Sequence, residues 1–235
     1  QEVTEEDIRW ARREVIERCI YGVDLNPLAV ELAKLSLWLY TVSKGRPLSF
    51  LEHHLRLGNS LIGAKIEDIG RLPVGADASA SSKGKRMARE ALTPTPSLRE
   101  RETEAEYGQQ LSLFDESAFT QSAFKMVGGA QNIEKMPTDS VAQVKKKEEI
   151  LATVLDPIRE PYRKIADLWT SAFFGNDLSQ PVYQQAMSLL QGKTTTLSEN
   201  VLSPYIARAE ELREQKRFFH WELEFPEVFF DEYGR

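Results

Sequence analysis

Apolar residues recur at three- and four-residue steps from the start of the chain. Residues 4–19 put Ile8, Ala11, Val15 and Cys19 on one face, the spacing of an amphipathic helix. Thr4 opens the stretch and Asp7 follows three residues later, which approximates a capping box. Residues 20–24, Ile-Tyr-Gly-Val-Asp, are a short apolar run ending in an acid, the pattern of a buried parallel strand. Asn26-Pro27 then offers an N-cap and a first helical position. The helix it starts carries Leu28, Val30, Leu32, Leu35, Leu37 and Leu39 on nearly every face. Such a helix needs cover on both sides, one of them expected from a sheet. Lys44-Gly45-Arg46-Pro47 is expected to end it, and residues 54–58 to form a second strand ending at Gly58-Asn59.

The periodicity then lapses. Residues 73–97 are rich in Gly, Ala, Ser, Pro and Lys with almost nothing to bury, which predicts a flexible linker. Residues 98–137 are ambiguous, with a charged stretch, Leu111 to Phe114, and Gly128-Gly129. From Asp139 to Phe174 helical steps return through Val144, Leu151, Leu155, Ile158, Tyr162, Ile165 and Trp169. Pro157 and Pro161 cannot both lie in one unbroken helix, so a break or sharp kink is expected at Asp156-Pro157. Residues 180–191 and 204–217 read as two more helices, the second started by Ser203-Pro204. Together they suggest a small bundle or helical hairpin. The tail from Phe218 to Phe230 is aromatic-rich. Core packing is the commoner use of such residues, ahead of base stacking.

Composition narrows the class. The chain has 235 residues, 41% hydrophobic and 28% charged, enough for one large domain or two small ones of soluble type. No apolar run approaches the roughly 20 residues of a membrane helix, and the residues from Gln1 onward predict no secretory signal, so a cytoplasmic location is expected. Gln1 in place of Met reads as a cut or processed start. Cys19 is the single cysteine, which rules out an intrachain disulfide. With 30 Lys and Arg against 36 Asp and Glu, the net charge is −6. A free-standing duplex binder is usually basic. If this chain serves DNA, another part of a longer protein is expected to grip the duplex.

Asp24 is the most informative candidate. In doubly wound folds an acid at the carboxyl end of a strand reaches the ribose of a bound nucleoside. A carboxylate can accept from both ribose hydroxyls at once. Many strand-end Asp residues merely cap a helix or turn, so the residue alone leaves both uses open. Gly192-Lys193-Thr194 imitates the end of a phosphate-binding loop, but the upstream glycine position holds Met187 and a helix precedes it. A polar turn is expected there. Lys145-Lys146-Lys147 is followed by Glu148-Glu149 and reads as a solvated helix face. One Cys and three scattered His give no metal-ligand spacing, so no metal is expected. His53, His54 and Arg56 are expected in surface or interface packing.

The wider text carries a resemblance. Residues 21–39, from Tyr-Gly-Val-Asp-Leu-Asn-Pro to Leu-Trp-Leu, resemble the second motif of the adenine-specific methyltransferase module of type IIG and related restriction–modification enzymes. Residues 53–64, His-His-Leu-Arg-Leu-Gly-Asn-Ser-Leu-Ile-Gly-Ala, resemble the segment with that family's third motif. Phe219-His-Trp-Glu-Leu-Glu-Phe-Pro-Glu-Val-Phe229 resembles the stretch before its catalytic motif. The matches come in the right order and cover about a third of the chain. The resemblance implies that Asp24 holds the ribose of S-adenosylmethionine, that Leu25 packs on the adenine ring, and that Asn59 reads the adenine edge. Asp is the more familiar residue at the last position, and Asn59 equally suits a turn after Gly58. The family's Gly-rich first motif is expected before Gln1 and its Asn-Pro-Pro-aromatic catalytic loop after Arg235. Asn26-Pro27-Leu28 starts like that loop but lacks the second proline and the aromatic.

The expected fold class is therefore α/β, a partial Rossmann-like methyltransferase core of few strands with a large, mostly α-helical insertion. The expected parts are a partial core at 1–72, the linker at 73–97, the insertion at 98–218 and a return segment at 219–235. The implied activity is S-adenosylmethionine-dependent methylation of adenine N6 in DNA, in restriction–modification or phage defence. The chain alone is expected to be inactive, to meet DNA through the longer protein, to avoid membranes and to self-associate through its apolar helix. Two alternatives stay open. The helical region could be a protein-interaction or DNA-contacting module on a methyltransferase scaffold. The strand and acid could belong to another Rossmann-like nucleotide-binding enzyme.

Overall fold

A computed structural model describes residues 4–40, 51, 53–72, 116–137, 140–231 and 233. The expected linker at 73–97 and the helix end at Lys44 to Pro47 lie outside the described residues. The fold is mostly helical with one two-stranded parallel sheet among the described residues. The described parts of Gln1–Gly63, Glu116–Arg163 and Glu214–Arg235 form one compact unit, and those of Ala64–Asp115 and Lys164–Arg213 a second. Among the described residues no helix is long and apolar enough to cross a membrane.

The first unit begins with helix α1 (Glu5–Cys19). Its capping box is complete: Thr4 Oγ1 accepts from Asp7 N at 3.2 Å, and the Asp7 carboxylate accepts from Thr4 N at 2.9 Å. Strand β1 (Gly22–Asp24), helix α2 (Pro27–Tyr40) and strand β2 (Leu55–Leu57) follow. The strands run parallel in the register Gly22↔Leu55, Val23↔Arg56 and Asp24↔Leu57. Parallel neighbours need a crossover, here including α2, which packs on both strands. Ile16, Val30, Leu51 and Leu55 form the core of this layer.

Cover in this layer is one-sided. β1 is half-buried rather than buried, with Asp24 exposed. Within α2 only Val30 is buried, while Leu28 is 64% and Leu39 59% exposed. The apolar stripe of α1 is also open: Ile8 and Val15 are exposed, and the buried residues are Ile16 and Arg13, the latter paired with Glu17 at 2.7 Å. An open groove of about 660 Å³ runs between α1 and α2, lined by Ile8, Trp10, Val15, Leu37 and Tyr40 among others.

Helix α3 (Glu116–Lys135) lies in the described part, 116–137, of the stretch whose pattern is ambiguous, and it runs through Gly128-Gly129. A Cβ on Gly129 would overlap the Leu155 side chain, whereas one on Gly128 would meet nothing within 4 Å. The glycine that weakens the helical signal at 129 is what admits Leu155. Helix α4 (Val141–Ile150) has a second capping box, Ser140 with Gln143. The expected break before Pro157 is a π turn at Leu151–Leu155, with Asp156 N donating to Leu151 O. Helix α5 (Asp156–Ser171) continues from it and keeps Pro161 inside. The wider turn absorbs the perturbation just where Pro157 re-enters α geometry near a helix start, so the chain is not cut. Lys147 departs from the expected solvated face: it is buried, 5% exposed, while Lys145 and Lys146 are exposed.

Helix α6 (Gln180–Leu190) forms where residues 180–191 predict one, and it lies in the second unit. Helix α7 (Glu199–Lys216) starts at Glu199 rather than at Pro204, with Val201 N bonded to Ser198 O at 3.0 Å. Tyr183, fully buried, donates its hydroxyl to Ile69 O, and Trp169 Nε1 donates to Arg71 O at 2.8 Å. Gly192, at φ 70°, turns the chain after α6. This is the polar turn expected in place of a phosphate loop. Two short helices close the first unit, α8 (Trp221–Glu224) and α9 (Pro226–Phe229). Of the tail aromatics, Phe218, Phe219 and Phe225 are core, at most 6% exposed, whereas Trp221 and Phe230 are half-buried and Phe229 is exposed.

Candidate functional site

The carboxyl ends of β1 and β2 bring the sequence candidates to one edge. Asp24 ends β1, and its carbonyl accepts from Gly58 N at 3.0 Å. Asn59 follows on the other strand, and its N–H turns the opposite way to Arg217 O at 2.6 Å. Asn59 thus bridges in parallel to Phe218. Asp24 and Asn59 therefore sit on neighbouring strand ends, with a third segment beside them.

Each side chain has a local job as well. Asp24 Oδ1 accepts from Asn26 N at 2.7 Å, and Asn26 Oδ1 accepts from Leu28 N at 2.9 Å, which caps α2. Asp24 Oδ2 has no partner among the described residues. Asn59 Oδ1 accepts from Leu61 N at 3.1 Å, an Asx turn that leaves its amide donors and one oxygen lone pair available. Leu25 is 53% and Leu61 90% exposed, so both offer bare apolar surface beside these polar groups. None of Asp24, Leu25 and Asn59 lines the α1–α2 groove.

The tail braces this edge. Arg217, in the left-handed region at φ 56°, ends α7 and turns the chain toward Asn59. Phe219 N then donates to Ile62 O at 2.8 Å, and Trp221 Nε1 to Ser60 O at 3.0 Å. A Cβ on Gly63 would overlap Phe219 O, and one on Gly58 the Phe219 ring. Both glycines let the tail approach at backbone distance.

The same unit holds a buried polar cluster that sequence reasoning missed. Glu224 lies 3.2 Å from Arg159 and 3.9 Å from Arg56, and Arg159 also reaches Asp156 at 3.3 Å. Burial pushes the Glu224 carboxyl up, but Arg159 and Arg56 outweigh it and hold the group below its ordinary range. His53 and His54, expected in surface or interface packing, are buried inside the unit at 1% and 2% exposure. His53 Nε2 lies 2.9 Å from Glu227 Oε1 without the alignment of a hydrogen bond. Burial pushes the His53 imidazole below its ordinary value. Tyr21 donates to Glu134 at 3.1 Å and stacks on His54 at 4.2 Å; burial and the Glu227 and Glu134 carboxylates push its phenol up. An orphaned buried polar atom typically costs about 1–3 kcal/mol. The readable signal was Glu224 and Glu227 embedded among Trp221, Leu223, Phe225 and Pro226, since acids in so apolar a setting are buried only with partners.

Comparison with known proteins places the chain. A protein of Methanocaldococcus jannaschii named as a type II restriction enzyme and methyltransferase is 35% identical over 79 residues, 30% of this chain. The match spans 7% of that relative's length. No solved structure matches the chain. Residues 18–234 match the Eco57I restriction-modification methylase family, so they take in β1, β2, the buried cluster and the bracing tail. The chain belongs to the Eco57I restriction-modification methylase family.

Proposed function

We propose that this chain supplies the ribose and adenine side of an S-adenosylmethionine site in a longer DNA methyltransferase that modifies adenine N6. The observation that carries the reading is the placement of Asp24 and Asn59 on adjacent parallel strand ends, tied by the Gly58 N to Asp24 O bond of 3.0 Å. Open α/β sheets bind ligands outside the carboxyl ends of their strands. In this reading β1, β2 and the Phe218 bridge belong to a Rossmann-like sheet completed by the rest of the protein.

The residues present suit that group. Asp24 Oδ2, without a partner among the described residues, is an exposed carboxylate acceptor for ribose hydroxyls. Exposed Leu25 offers a face for an adenine ring. Asn59 keeps amide donors and one lone pair for the ring edge. S-Adenosylmethionine, when bound, supplies an electrophilic methyl group. Adenine N6 is a weak nucleophile because its lone pair is delocalised into the ring. Orientation is then the contribution required of Asp24, Leu25 and Asn59; none serves as acid, base or nucleophile. The target base must leave the duplex to reach the donor. The chain's charge of −6 leaves phosphate gripping to other parts of the protein.

Nucleoside mass spectrometry of DNA incubated with the longer protein and labelled S-adenosylmethionine tests this. N6-methyladenine is the expected product, and the isolated 235-residue chain is expected to transfer no label. Methylcytosine as the sole product, or label transfer by the isolated chain, would contradict the reading.

A further inference from the structure

We propose that His53, His54 and Glu227 form a structural site for one divalent transition-metal ion of the zinc type. The potential ligand atoms of the three residues all lie within 4.8 Å of one another. Their side chains are 1%, 3% and 5% exposed. Both ring nitrogens of His53, His54 Nδ1 and both Glu227 oxygens are buried without a hydrogen-bond partner among the described residues. Native interiors seldom leave so many polar atoms orphaned together, and each such group calls for an explanation. A pairwise hydrogen bond between His53 and Glu227 would satisfy at most two of these atoms. A cation satisfies one nitrogen of each imidazole and both carboxylate oxygens at once.

Two imidazoles and a carboxylate are a set that zinc accepts. With bonds of about 2.0–2.2 Å, tetrahedral ligands stand roughly 3.3 Å apart, so the cluster needs only a modest contraction. A bidentate Glu227 completes four donors. The surroundings match an outer ring of support. His54 Nε2 faces Glu134 Oε1 at 3.7 Å, which leaves the partnerless Nδ1 for the ion. Tyr21 fixes that carboxylate through its hydroxyl and stacks on the His54 ring. A carboxylate on the far nitrogen is the usual way a metal-binding histidine is oriented.

The place in the fold decides the role. His53 and His54 precede β2, and His54 O accepts from Gly22 N at 2.9 Å at the amino end of β1. Asp24 and Asn59 lie at the opposite ends of the same strands. The ion therefore pins helix α9, which carries Glu227, to the start of β2 and takes no part at the ligand edge.

The test uses the full chain, purified without added chelator. Elemental analysis and Zn²⁺ titration against a chromogenic chelator should give one equivalent per chain. Zinc X-ray absorption of the unmutated chain should show two imidazoles with oxygen and no sulfur. Glu227→Gln should weaken Zn²⁺ binding at least tenfold, and chelation should lower the melting temperature of the unmutated chain. Less than one-tenth of an equivalent after Zn²⁺ loading, a first shell containing the Cys19 sulfur, or unchanged affinity in Glu227→Gln would overturn the proposal.

Discussion

The backbone N–H of Gly58 donates to the carbonyl of Asp24 at 3.0 Å, continuing the parallel register one residue beyond the last paired strand positions. That bond fixes where β2 ends relative to β1, and so where Asn59 stands relative to Asp24. The next glycine, Gly63, lets the tail close on the same edge because a Cβ would overlap Phe219 O. Gly63→Ala is therefore expected to destabilise the chain by about 1–3 kcal/mol, the usual cost of overpacking. Urea denaturation followed by tryptophan fluorescence checks this; an unchanged midpoint would mean that the tail does not press on Gly63.

The two glycines of α3 should answer oppositely to the same substitution. Gly128→Ala adds a methyl into open space and replaces a poor helix former, so stability should rise by up to about 1 kcal/mol. Gly129→Ala drives a methyl into buried Leu155 and should cost about 1–3 kcal/mol despite the better propensity. Paired melting curves of the two variants decide the matter, and shifts of the same sign would refute the packing assigned to α3 and Leu155.

Glu224 should make stability depend on acid. Its folded pKa is depressed, with Arg159 and Arg56 overcoming the opposing effect of burial. Its contribution is thus full above its unfolded value of about 4.3 and is lost as pH falls through the lower folded value. Glu224→Gln removes the carboxylate that faces both arginines and leaves Arg159 with Asp156 alone, and breaking such a buried pair should cost about 3–5 kcal/mol at neutral pH. The gap between the two proteins should narrow only below about pH 4.3. Denaturation across pH 3–8 measures it, and a gap that instead grew on acidification would give the ion cluster the wrong sign.

How far the sequence could be read depends on the range of each interaction. The β1–α2 junction was legible because its determinants are adjacent: Asp24 bonds to Asn26 N and Asn26 to Leu28 N. The Thr4 capping box was legible for the same reason. Helix α3 was hidden because Gly128-Gly129 depress local propensity, and Gly129 answers to Leu155, distant in sequence. Pro157 announced a disturbance, but a π turn rather than a break relieves it. His53, His54 and Glu227 meet only after the chain has returned at α9, and no spacing rule spans that distance. Lys147 looked solvated because its neighbours in sequence are charged, and its burial is set by tertiary packing.

Asp24 is the residue most directly tied to cofactor binding, and equilibrium binding of S-adenosylmethionine to the longer protein tests that role. Calorimetric titration of the unmutated protein and of Asp24→Ala, with circular dichroism to verify that both are folded, isolates the side chain. Hydrogen bonds to a charged acceptor are typically worth about 1.5–3 kcal/mol, so the variant should bind roughly tenfold to a hundredfold more weakly. Equal affinity in two equally folded proteins would contradict the central claim and leave Asp24 with only the turn to Asn26 that it visibly holds.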